Sequence, residues 1–409
     1  MAELKRAVGL LEASVYGVGL ILGAGIYAIL GEAVAETGES IIVSFLLAAG
    51  VATFTGLSYA ELASRYPKGE GEYLYAWAAF ENKRLSEVTA IFRVLTGIIA
   101  AAAVALAFGQ YFAAFVPLSS VPVAIGVLVV MSAINFWGIE TSARINLLFT
   151  AIEIAGLLFI IVIGIRTWGS VEITQFEHGI SGVFSATFLL FFAYTGFESL
   201  VNIAEEMKTP SSTIPRAIGI SIGLSTVVYL LVGLSALGLV NWQVLGDSQA
   251  PLAAVALAGW GEDAFVVLSA IALFATANTV LILLISTSRV TYGISKAEYN
   301  SFPAVFARVH PKRKTPYIAV SLVALVTIPF ALMGDLGAVA ELANLALLAV
   351  FVIVNLSLLK LRYSGDAQET GYRAPLNIGR FSITAFLGLI TSVGLILFYL
   401  AEAVRFSSW

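Results

Sequence analysis

The sequence predicts an all-α integral membrane protein with about eleven membrane-spanning helices. Of its 409 residues, 59% are hydrophobic and 12% are charged, whereas a soluble domain carries about 25% charged residues. Apolar windows of about 20 residues, the length needed to cross a bilayer, recur along the whole chain. We number the predicted spans 1 to 11 in chain order, and they cover residues 8–33, 40–63, 87–116, 121–138, 146–166, 182–204, 215–240, 263–288, 317–333, 338–359 and 381–404.

The composition excludes several classes of function. The chain has no cysteine, and its two histidines, His178 and His310, are far apart, so disulfides, thiolate ligands and a metal cluster are not expected. The sequence has no phosphate-binding loop, no serine nucleophile motif and no run of charge suited to nucleic acid. We therefore expect no enzymatic activity, no cofactor or metal, and no nucleic-acid partner.

Span 1 is unusual because its centre is rich in glycine. This apolar stretch is too long for a signal peptide, so we expect it to be retained. Its middle reads Gly17-Val18-Gly19-Leu20-Ile21-Leu22-Gly23-Ala24-Gly25-Ile26. Glycine weakens a helix, and a glycine-interrupted helix at membrane depth is typical of the binding site of a secondary transporter. Close helix packing through small residues is the alternative interpretation.

The basic residues predict the orientation of the chain. If the amino terminus is cytoplasmic, all 22 lysines and arginines except Arg93, Arg166 and Arg405 belong to cytoplasmic segments. This distribution follows the positive-inside rule. With eleven spans, the carboxyl-terminal Trp409 is then expected outside.

Span 6 repeats the peculiarity of span 1. It contains Phe191-Phe192-Ala193-Tyr194-Thr195-Gly196-Phe197-Glu198, which places a glycine and a carboxylate at mid-membrane depth. Two interrupted spans, the first and the sixth, predict two five-helix halves of opposite topology with a binding site between them. The halves are residues 8–166 (spans 1 to 5) and 182–359 (spans 6 to 10), and span 11 at 381–404 is additional. The symmetry is architectural, since no alignable sequence repeat accompanies it.

Short motifs beside these spans occur in a specific order over nearly the whole chain. They are Gly23-Ala24-Gly25-Ile26-Tyr27; Tyr59-Ala60-Glu61-Leu62 with Arg65-Tyr66-Pro67-Lys68-Gly69-Glu70-Gly71-Glu72-Tyr73; Ser142-Ala143-Arg144-Ile145-Asn146; Phe191 to Glu198 with Glu205-Glu206-Met207-Lys208-Thr209-Pro210 and Ile214-Pro215-Arg216-Ala217-Ile218; Ser288-Arg289; and Val309-His310-Pro311-Lys312-Arg313-Lys314-Thr315-Pro316. In this order and spacing, the motifs make the chain similar to the amino acid, polyamine and organocation (APC) transporter superfamily.

The resemblance implies a LeuT-like 5+5 inverted-repeat fold with discontinuous helices in spans 1 and 6. It implies a single transporter domain over residues 1–409, working by alternating access without hydrolysis of its own. It further implies that the backbone of four residues at the first break holds the carboxylate of the substrate, namely Gly23, Ala24, Gly25 and Ile26. Freed amides at the start of a half-helix carry partial positive charge, which suits a carboxylate.

The break in span 6 is expected to complete a site for a zwitterion. The resemblance implies that carbonyl groups around Ala193, Tyr194 and Thr195 accept hydrogen bonds from an α-ammonium group. Phe192 and Tyr194 are candidates for aromatic lids or for lining the side-chain pocket, although packing is the commoner role of an aromatic residue in a membrane helix.

Glu198, close to the second break, needs a physical explanation. An ionised carboxylate at the bilayer centre costs at least about 2.5–3.5 kcal/mol, so it must be hydrogen-bonded, paired or protonated. Two roles are open: Glu198 couples proton movement to substrate movement, or it accepts bonds from helix-end amides and holds the break together.

Glu153 in span 5 departs from the family pattern, because many proton-coupled relatives carry a lysine at this place. Three roles are open: Glu153 carries the coupling proton, it is a ligand of a cation, or it pairs with Arg93 in span 3. Because Arg93 is only about two helical turns inside the membrane and could extend its charged end to the interface, we favour a functional Glu153.

Span 8 offers further oxygen atoms near the region where sodium-coupled relatives of the fold bind an ion. They belong to Asn278, Thr279, Ser286, Thr287 and Ser288. Hydroxyl groups in membrane helices usually bond to their own helix, so sodium is the weaker alternative to protons as the coupling ion.

These observations predict secondary active transport of an amino acid across the cytoplasmic membrane, driven by protons or by exchange. The alternative within the fold is a polyamine or other organocation exchanger, which an extra buried anion such as Glu153 would suit. A channel is disfavoured because the sequence shows no ring of like pore-lining groups and no repeated filter.

Overall fold

The computed structural model of the chain describes residues 6, 8–68, 71–137, 143–296, 302–313, 315–364 and 371–407, without the side chains of 143–148, 205 and 405–407. The predicted position of Trp409 and parts of the flanking motifs (Gly69-Glu70, Ser142 and Lys314) lie outside these residues. The described chain is almost entirely helical, as the sequence predicts. Its α-helices are α1 Leu10–Leu22, α2 Ala24–Thr37, α3 Ile41–Arg65, α4 Gly71–Phe80, α5 Lys83–Phe112, α6 Ser120–Trp137, α7 Ala143–Gly164, α8 Gly179–Phe191, α9 Pro210–Leu239, α10 Trp242–Gly246, α11 Pro251–Trp260, α12 Glu262–Lys296, α13 Tyr317–Ala331, α14 Leu336–Tyr363 and α15 Ile383–Ser407.

Short irregular elements complete the described structure. The 3-10 helices are Gly38–Ser40, Trp168–Ser170, Phe192–Tyr194, Phe197–Glu206 and Ala304–Ala307. Strands β1 (Asn377–Ile378) and β2 (Phe381–Ser382) form a small antiparallel hairpin before α15.

Eight helical stretches in the described part of the chain are long and apolar enough to cross a membrane. One of them, Leu10–Arg65, contains both predicted spans 1 and 2. Predicted spans 5 and 9 coincide with shorter apolar helices, Phe149–Gly164 and Tyr317–Ala331. A further short apolar helix, α11, was not predicted as a span. The chain is therefore a multi-pass membrane protein.

Both predicted interruptions are present as breaks in helical geometry. The first is confined to Gly23, whose ψ of −149° ends α1 and begins α2. The second is longer, because α8 ends at Phe191 and the chain continues as the 3-10 turn Phe192–Tyr194, an extended Thr195 and a Gly196 with φ of 120°. The positive φ favours glycine at this position.

Several pairs of helices that lie five predicted spans apart pack against each other. Helix α3 packs on α9, α5 on α12, and α6 on α13, while α2 packs on α8 and the first 3-10 turn after it. In span numbers, these contacts join span 2 to 7, 3 to 8, 4 to 9 and 1 to 6. The two helix breaks therefore lie together in the core of the bundle.

A polar junction attaches α14 and α15 to α3. Asn355 of α14 donates to Thr55 Oγ1 at 3.0 Å, and its Oδ1 accepts a hydrogen bond from Ser58 Oγ at 2.6 Å. Gly388 of α15 packs directly over this amide, since an added β-carbon would lie 2.7 Å from Asn355 Oδ1. Because the amide uses both its donor and acceptor groups, its burial between the helices is well compensated.

A buried ion pair closes the end of the same three-helix group. Glu61 of α3 is fully buried and pairs with Arg362 of α14, whose Nε donates at 2.9 Å, and with Arg65 one helical turn away. The amide of Ala374 also donates to Glu61, at 2.8 Å, and Arg362 reaches Asn377 of β1. This junction fixes the hairpin segment and the start of α15 against α3.

We predict that Arg362→Met lowers the free energy of unfolding by about 3 kcal/mol, because removing one partner leaves a buried carboxylate with incomplete compensation. Denaturant titration in detergent micelles measures this change. Lys83→Met is the matched control, because the Lys83 side chain is 46% exposed and its distance to Glu87, 4.0 Å, is that of a weak surface ion pair. Its effect on the free energy of unfolding should stay within about 1 kcal/mol. Equal effects of the two substitutions would contradict the structural role of the Glu61 junction.

Candidate functional site

The two helix breaks touch each other through their backbones. A β-carbon added to Gly25 would lie 2.9 Å from Ala193 Cα, and one added to Gly196 would lie 2.8 Å from the carbonyl oxygen of Leu20. Real β-carbons do not approach other atoms this closely, so the packing requires glycine at both places. The sequence-predicted segments 23–26 and 192–196 are thus adjacent in space.

The first break releases backbone amides from regular helix bonding. Gly23 ends α1 and precedes the first residue of α2. The first amides of α2 therefore lack the carbonyl acceptors that a continuous helix would provide one turn earlier. The amide of Ala24 donates to Thr279 Oγ1 of α12 at 3.2 Å. Gly25 and Ile26 follow in the same first turn, where helix geometry concentrates partial positive charge. A negatively charged group is therefore favoured beside residues 23–26.

The second break presents carbonyl groups to the same region. Thr195 donates through both its amide (3.2 Å) and its Oγ1 (2.7 Å) to the carbonyl of Phe192. The carbonyl of Ala193 faces the first break, as the contact with Gly25 shows. Phe192 and Tyr194 are both buried, and the ring of Tyr194 contacts that of Tyr229 at 5.3 Å. In this structure both predicted aromatic candidates are engaged in packing.

Tyr229 of α9 connects the two breaks. Its hydroxyl lies between the carbonyl oxygen of Ala193, at 2.8 Å, and that of Ile21 near the end of α1. The residue is completely buried. A single phenolic group therefore bridges carbonyls of both interrupted spans.

Glu198 and Arg93 belong to one buried charge cluster. Glu198 accepts a hydrogen bond from the amide of Gly196 at 2.7 Å and lies 3.8 Å from Arg93. Arg93 also pairs with Glu72 of α4 at 3.3 Å, and the Tyr59 hydroxyl donates to Glu72 at 3.0 Å. Glu198 thus caps an amide freed by the second break, which is the geometry expected if it holds the break together.

Glu153 lies level with the first break but apart from that cluster. One turn before it, Thr150 packs against Gly19 of α1; one turn after it, Gly156 packs against the Tyr27 hydroxyl of α2. The Tyr27 hydroxyl also donates to the backbone carbonyl of Glu153 at 2.8 Å. Glu153 therefore lies at about the same height along span 1 as Gly23.

The side chain of Glu153 has a neutral partner. Its exposure is 2%, and Asn278 Nδ2 of α12 donates to its Oε1 at 3.4 Å. The Arg93 side chain pairs with Glu72 and Glu198 instead, so the structure does not form the Arg93–Glu153 pair considered from the sequence. Asn278 Oδ1 is also buried and has no hydrogen-bond partner among the described residues.

Of the other oxygen-bearing residues predicted in span 8, Thr279 contacts the first break, whereas Ser286, Thr287 and Ser288 lie elsewhere. Thr287 packs on Gly97 of α5, where an added β-carbon would lie 3.2 Å from Thr287 Cβ. Ser288 accepts a hydrogen bond from Asn135 of α6 at 3.3 Å. Ser286 lies next to Thr287, two turns along α12 from Asn278. The structure therefore brings Asn278 to Glu153 but does not bring Ser286 or Thr287 there.

Sequence reasoning missed two residues of this region, Tyr229 and Glu72. A tyrosine in the middle of an apolar span usually needs a partner for its hydroxyl, and this requirement could have drawn attention to Tyr229. For Glu72, the signal was Arg93, because a buried guanidinium needs carboxylate partners. The sequence alone does not say from which helix such partners come.

Comparison with known proteins adds independent information. Residues 8–408 match the family described as amino acid permease. The branched-chain amino acid permease BcaP of Bacillus subtilis is 26% identical across 97% of this chain and 93% of its own length. The methylthioribose transporter of Bacillus subtilis is 28% identical across 91% of this chain and 85% of its own length. Cationic amino acid transporter 4 of Mus musculus is 30% identical across 88% of this chain and 60% of its own, greater length. The chain belongs to the amino acid permease family of the APC superfamily.

Proposed function

We propose that this protein is a secondary active transporter that moves an amino acid across the cytoplasmic membrane by alternating access. The observation that carries the proposal is the direct contact between the two helix breaks, Gly25 against Ala193. At membrane depth, irregular backbone is tolerated only where protein or a cavity surrounds it. Two such segments in mutual contact, five spans apart, are the arrangement in which secondary transporters bind substrate.

The polarity of the two breaks suits a zwitterion. The amino end of α2 at Gly23, Ala24, Gly25 and Ile26 favours the carboxylate of the substrate. Carbonyls at Ala193, Tyr194 and Thr195 favour its ammonium group. Since Phe192 and Tyr194 frame the second break, they are proposed to border the side chain of the substrate and to move when the site opens.

The packing of equivalent helices supports a LeuT-like 5+5 inverted repeat. Contacts between spans 1 and 6, 2 and 7, 3 and 8, and 4 and 9 are expected when two halves surround a common pseudo-two-fold axis. We propose that residues 8–166 and 182–359 are these halves within one domain and that α15, over 381–404, is an added helix. With eleven spans and the basic residues inside, the amino terminus is cytoplasmic and the carboxyl terminus is outside.

We propose that Glu153 carries the coupling proton. A buried carboxylate that has only an amide donor lacks charge compensation when it is ionised, and Asn278 is such a neutral partner. Rotating the Asn278 amide would turn Oδ1 toward Glu153, where it could accept the proton of a neutral carboxyl. Sodium is less favoured because Ser286 and Thr287 lie away from Glu153. The capping geometry of Glu198 supports a structural role for that residue.

The relatives differ in the substrate that their names state: branched-chain amino acids, cationic amino acids and methylthioribose. The zwitterion geometry favours an amino acid. A polyamine or other organocation exchanger remains the alternative, and it is favoured if Glu153 stays ionised, because a buried anion attracts a cationic substrate.

Uptake into proteoliposomes tests the proposed function directly. The panel contains labelled leucine, valine, alanine, serine, arginine, lysine and glutamate, together with putrescine, spermidine and methylthioribose, and pH and sodium gradients are imposed separately. We expect at least one amino acid to accumulate or exchange, and a pH gradient to matter more than a sodium gradient. Failure of the whole panel under every gradient would refute the proposal, and transport of polyamines alone would favour the alternative.

Gly25→Ala should weaken substrate binding about tenfold or more, because the new β-carbon would lie 2.9 Å from Ala193 Cα and overpacking typically costs about 1–3 kcal/mol. Gly25→Val should abolish binding while the protein still inserts. Binding is measured by scintillation proximity in detergent. Gly223→Ala in α9 is the matched control, since its β-carbon would meet nothing within 4 Å. Unchanged affinity in Gly25→Val would contradict the assignment of the first break.

Glu153→Gln should abolish the response of uptake to a pH gradient and leave equilibrium binding of the substrate within about threefold, because glutamine has nearly the shape of a protonated glutamate but does not titrate. The ratio of uptake with and without the gradient is the measurement. Glu198→Gln is the comparison and should retain this ratio even if it lowers stability. The reverse result, with coupling lost only in Glu198→Gln, would move the proton site to the second break.

A further inference from the structure

Tyr229 places a single proton between two backbone acceptors. Its hydroxyl approaches the carbonyl oxygens of Ile21 and of Ala193, the latter at 2.8 Å. A phenolic hydroxyl can donate only one hydrogen bond at a time. The two carbonyls belong to the two interrupted spans, so one side chain of α9 serves both.

Neither carbonyl has the partner that a continuous helix would provide. Ile21 is in the last turn of α1, where carbonyls lose their regular partners. Ala193 lies in the 3-10 turn, and the amide three residues later, that of Gly196, donates to Glu198 instead. Both Ile21 and Ala193 are buried. An unpaired carbonyl in a water-free membrane interior is strongly unfavourable, so these two groups depend on donors from outside their own helices.

We propose that the Tyr229 hydroxyl is the one donor that these two carbonyls share, turning from one to the other, while the transporter reorients without substrate. The inference rests on the proposed transport function. When an amino acid is bound, its ammonium group brings N–H donors to the carbonyls of the second break, and Tyr229 is needed only for Ile21. During the return of the unloaded protein the ammonium is gone, and the tight contact of Gly25 with Ala193 keeps water from replacing it. Tyr229 is then the donor that remains, and it acts as a positioning residue through the backbone.

This role separates two modes of transport. Net flux requires the unloaded protein to reorient in every cycle, whereas exchange at saturating substrate on both sides does not. Loss of the hydroxyl should therefore slow net flux and spare exchange. A general loss of packing or stability would lower both rates together.

The test is Tyr229→Phe, which removes the hydroxyl and keeps the ring contacts with Phe45 and Tyr194. Proteoliposomes are loaded with the labelled amino acid that accumulates most in the wild-type panel. Net efflux into substrate-free buffer is compared with efflux into a saturating concentration of the same unlabelled amino acid. We expect net efflux to fall about tenfold, the effect of leaving one buried carbonyl unpaired, and exchange to stay within about twofold of wild type.

Tyr111→Phe is the matched control. Tyr111 of α5 is also a buried tyrosine, and its hydroxyl donates to a backbone carbonyl, that of Tyr27, at 3.1 Å. The carbonyl of Tyr27 is four residues past Gly23 and belongs to neither break, so the ratio of net efflux to exchange should remain that of the wild type. Equal loss of both modes in Tyr229→Phe, or a wild type that exchanges without net flux, would overturn the role of Tyr229. A wild type that neither exchanges nor accumulates any member of the panel would overturn the transport function itself.

Discussion

The constraint on which the structure depends is that backbone polar groups at membrane depth must find partners. A regular helix meets this requirement by itself, but the chain interrupts two of its spans, at Gly23 and at Gly196. Other helices supply hydrogen-bond partners for the released groups. Thr279 of α12 accepts from the amide of Ala24, and Tyr229 of α9 donates to the carbonyl of Ala193. The two breaks are therefore fixed in place by the helices that surround them. A substrate bound there, as proposed, would compete with groups of the protein for the same partners.

Two groups of buried charges, around Glu61 and around Arg93, are extensively paired and hold elements of the fold together. Glu61 has two arginine partners and a backbone amide, and Arg93 lies between Glu72 and Glu198. Such groups are costly to bury but compensated, and losing one partner is more harmful than never having the pair. Glu153 differs from all of them because its side-chain partner is the neutral amide of Asn278. A neutral partner is what we expect if Glu153 changes its charge during transport, as proposed, because a fixed counter-charge would favour the ionised form.

The sequence predicted the features that follow from length, hydropathy and glycine placement. All predicted spans coincide with helical segments, and both interruptions occur at the predicted glycines. These features are local, so the residues themselves contain the information. Pairings across the bundle are different: an isolated Arg93 and an isolated Glu153 looked like possible partners by depth alone. Which face of each helix turns toward which neighbour depends on the packing of the whole bundle, so the true partners of Arg93 and the bridging position of Tyr229 could not be predicted.

The charge state of Glu153 connects substrate choice with coupling. Through Thr150 and Gly156, α7 holds Glu153 at the level of Gly23, where the amino end of α2 is proposed to receive a carboxylate. An ionised Glu153 would repel that carboxylate across a low-dielectric interior, in which such repulsion is poorly screened. A protonated Glu153 removes this repulsion, so proton and amino acid would each favour the binding of the other, and the coupling must be reciprocal. For a substrate with cationic groups alone the sign reverses, because the ionised carboxylate would then attract it. Glu153 would thus make the binding of a zwitterion depend on a proton, whereas a polyamine would compete with the proton for the same carboxylate.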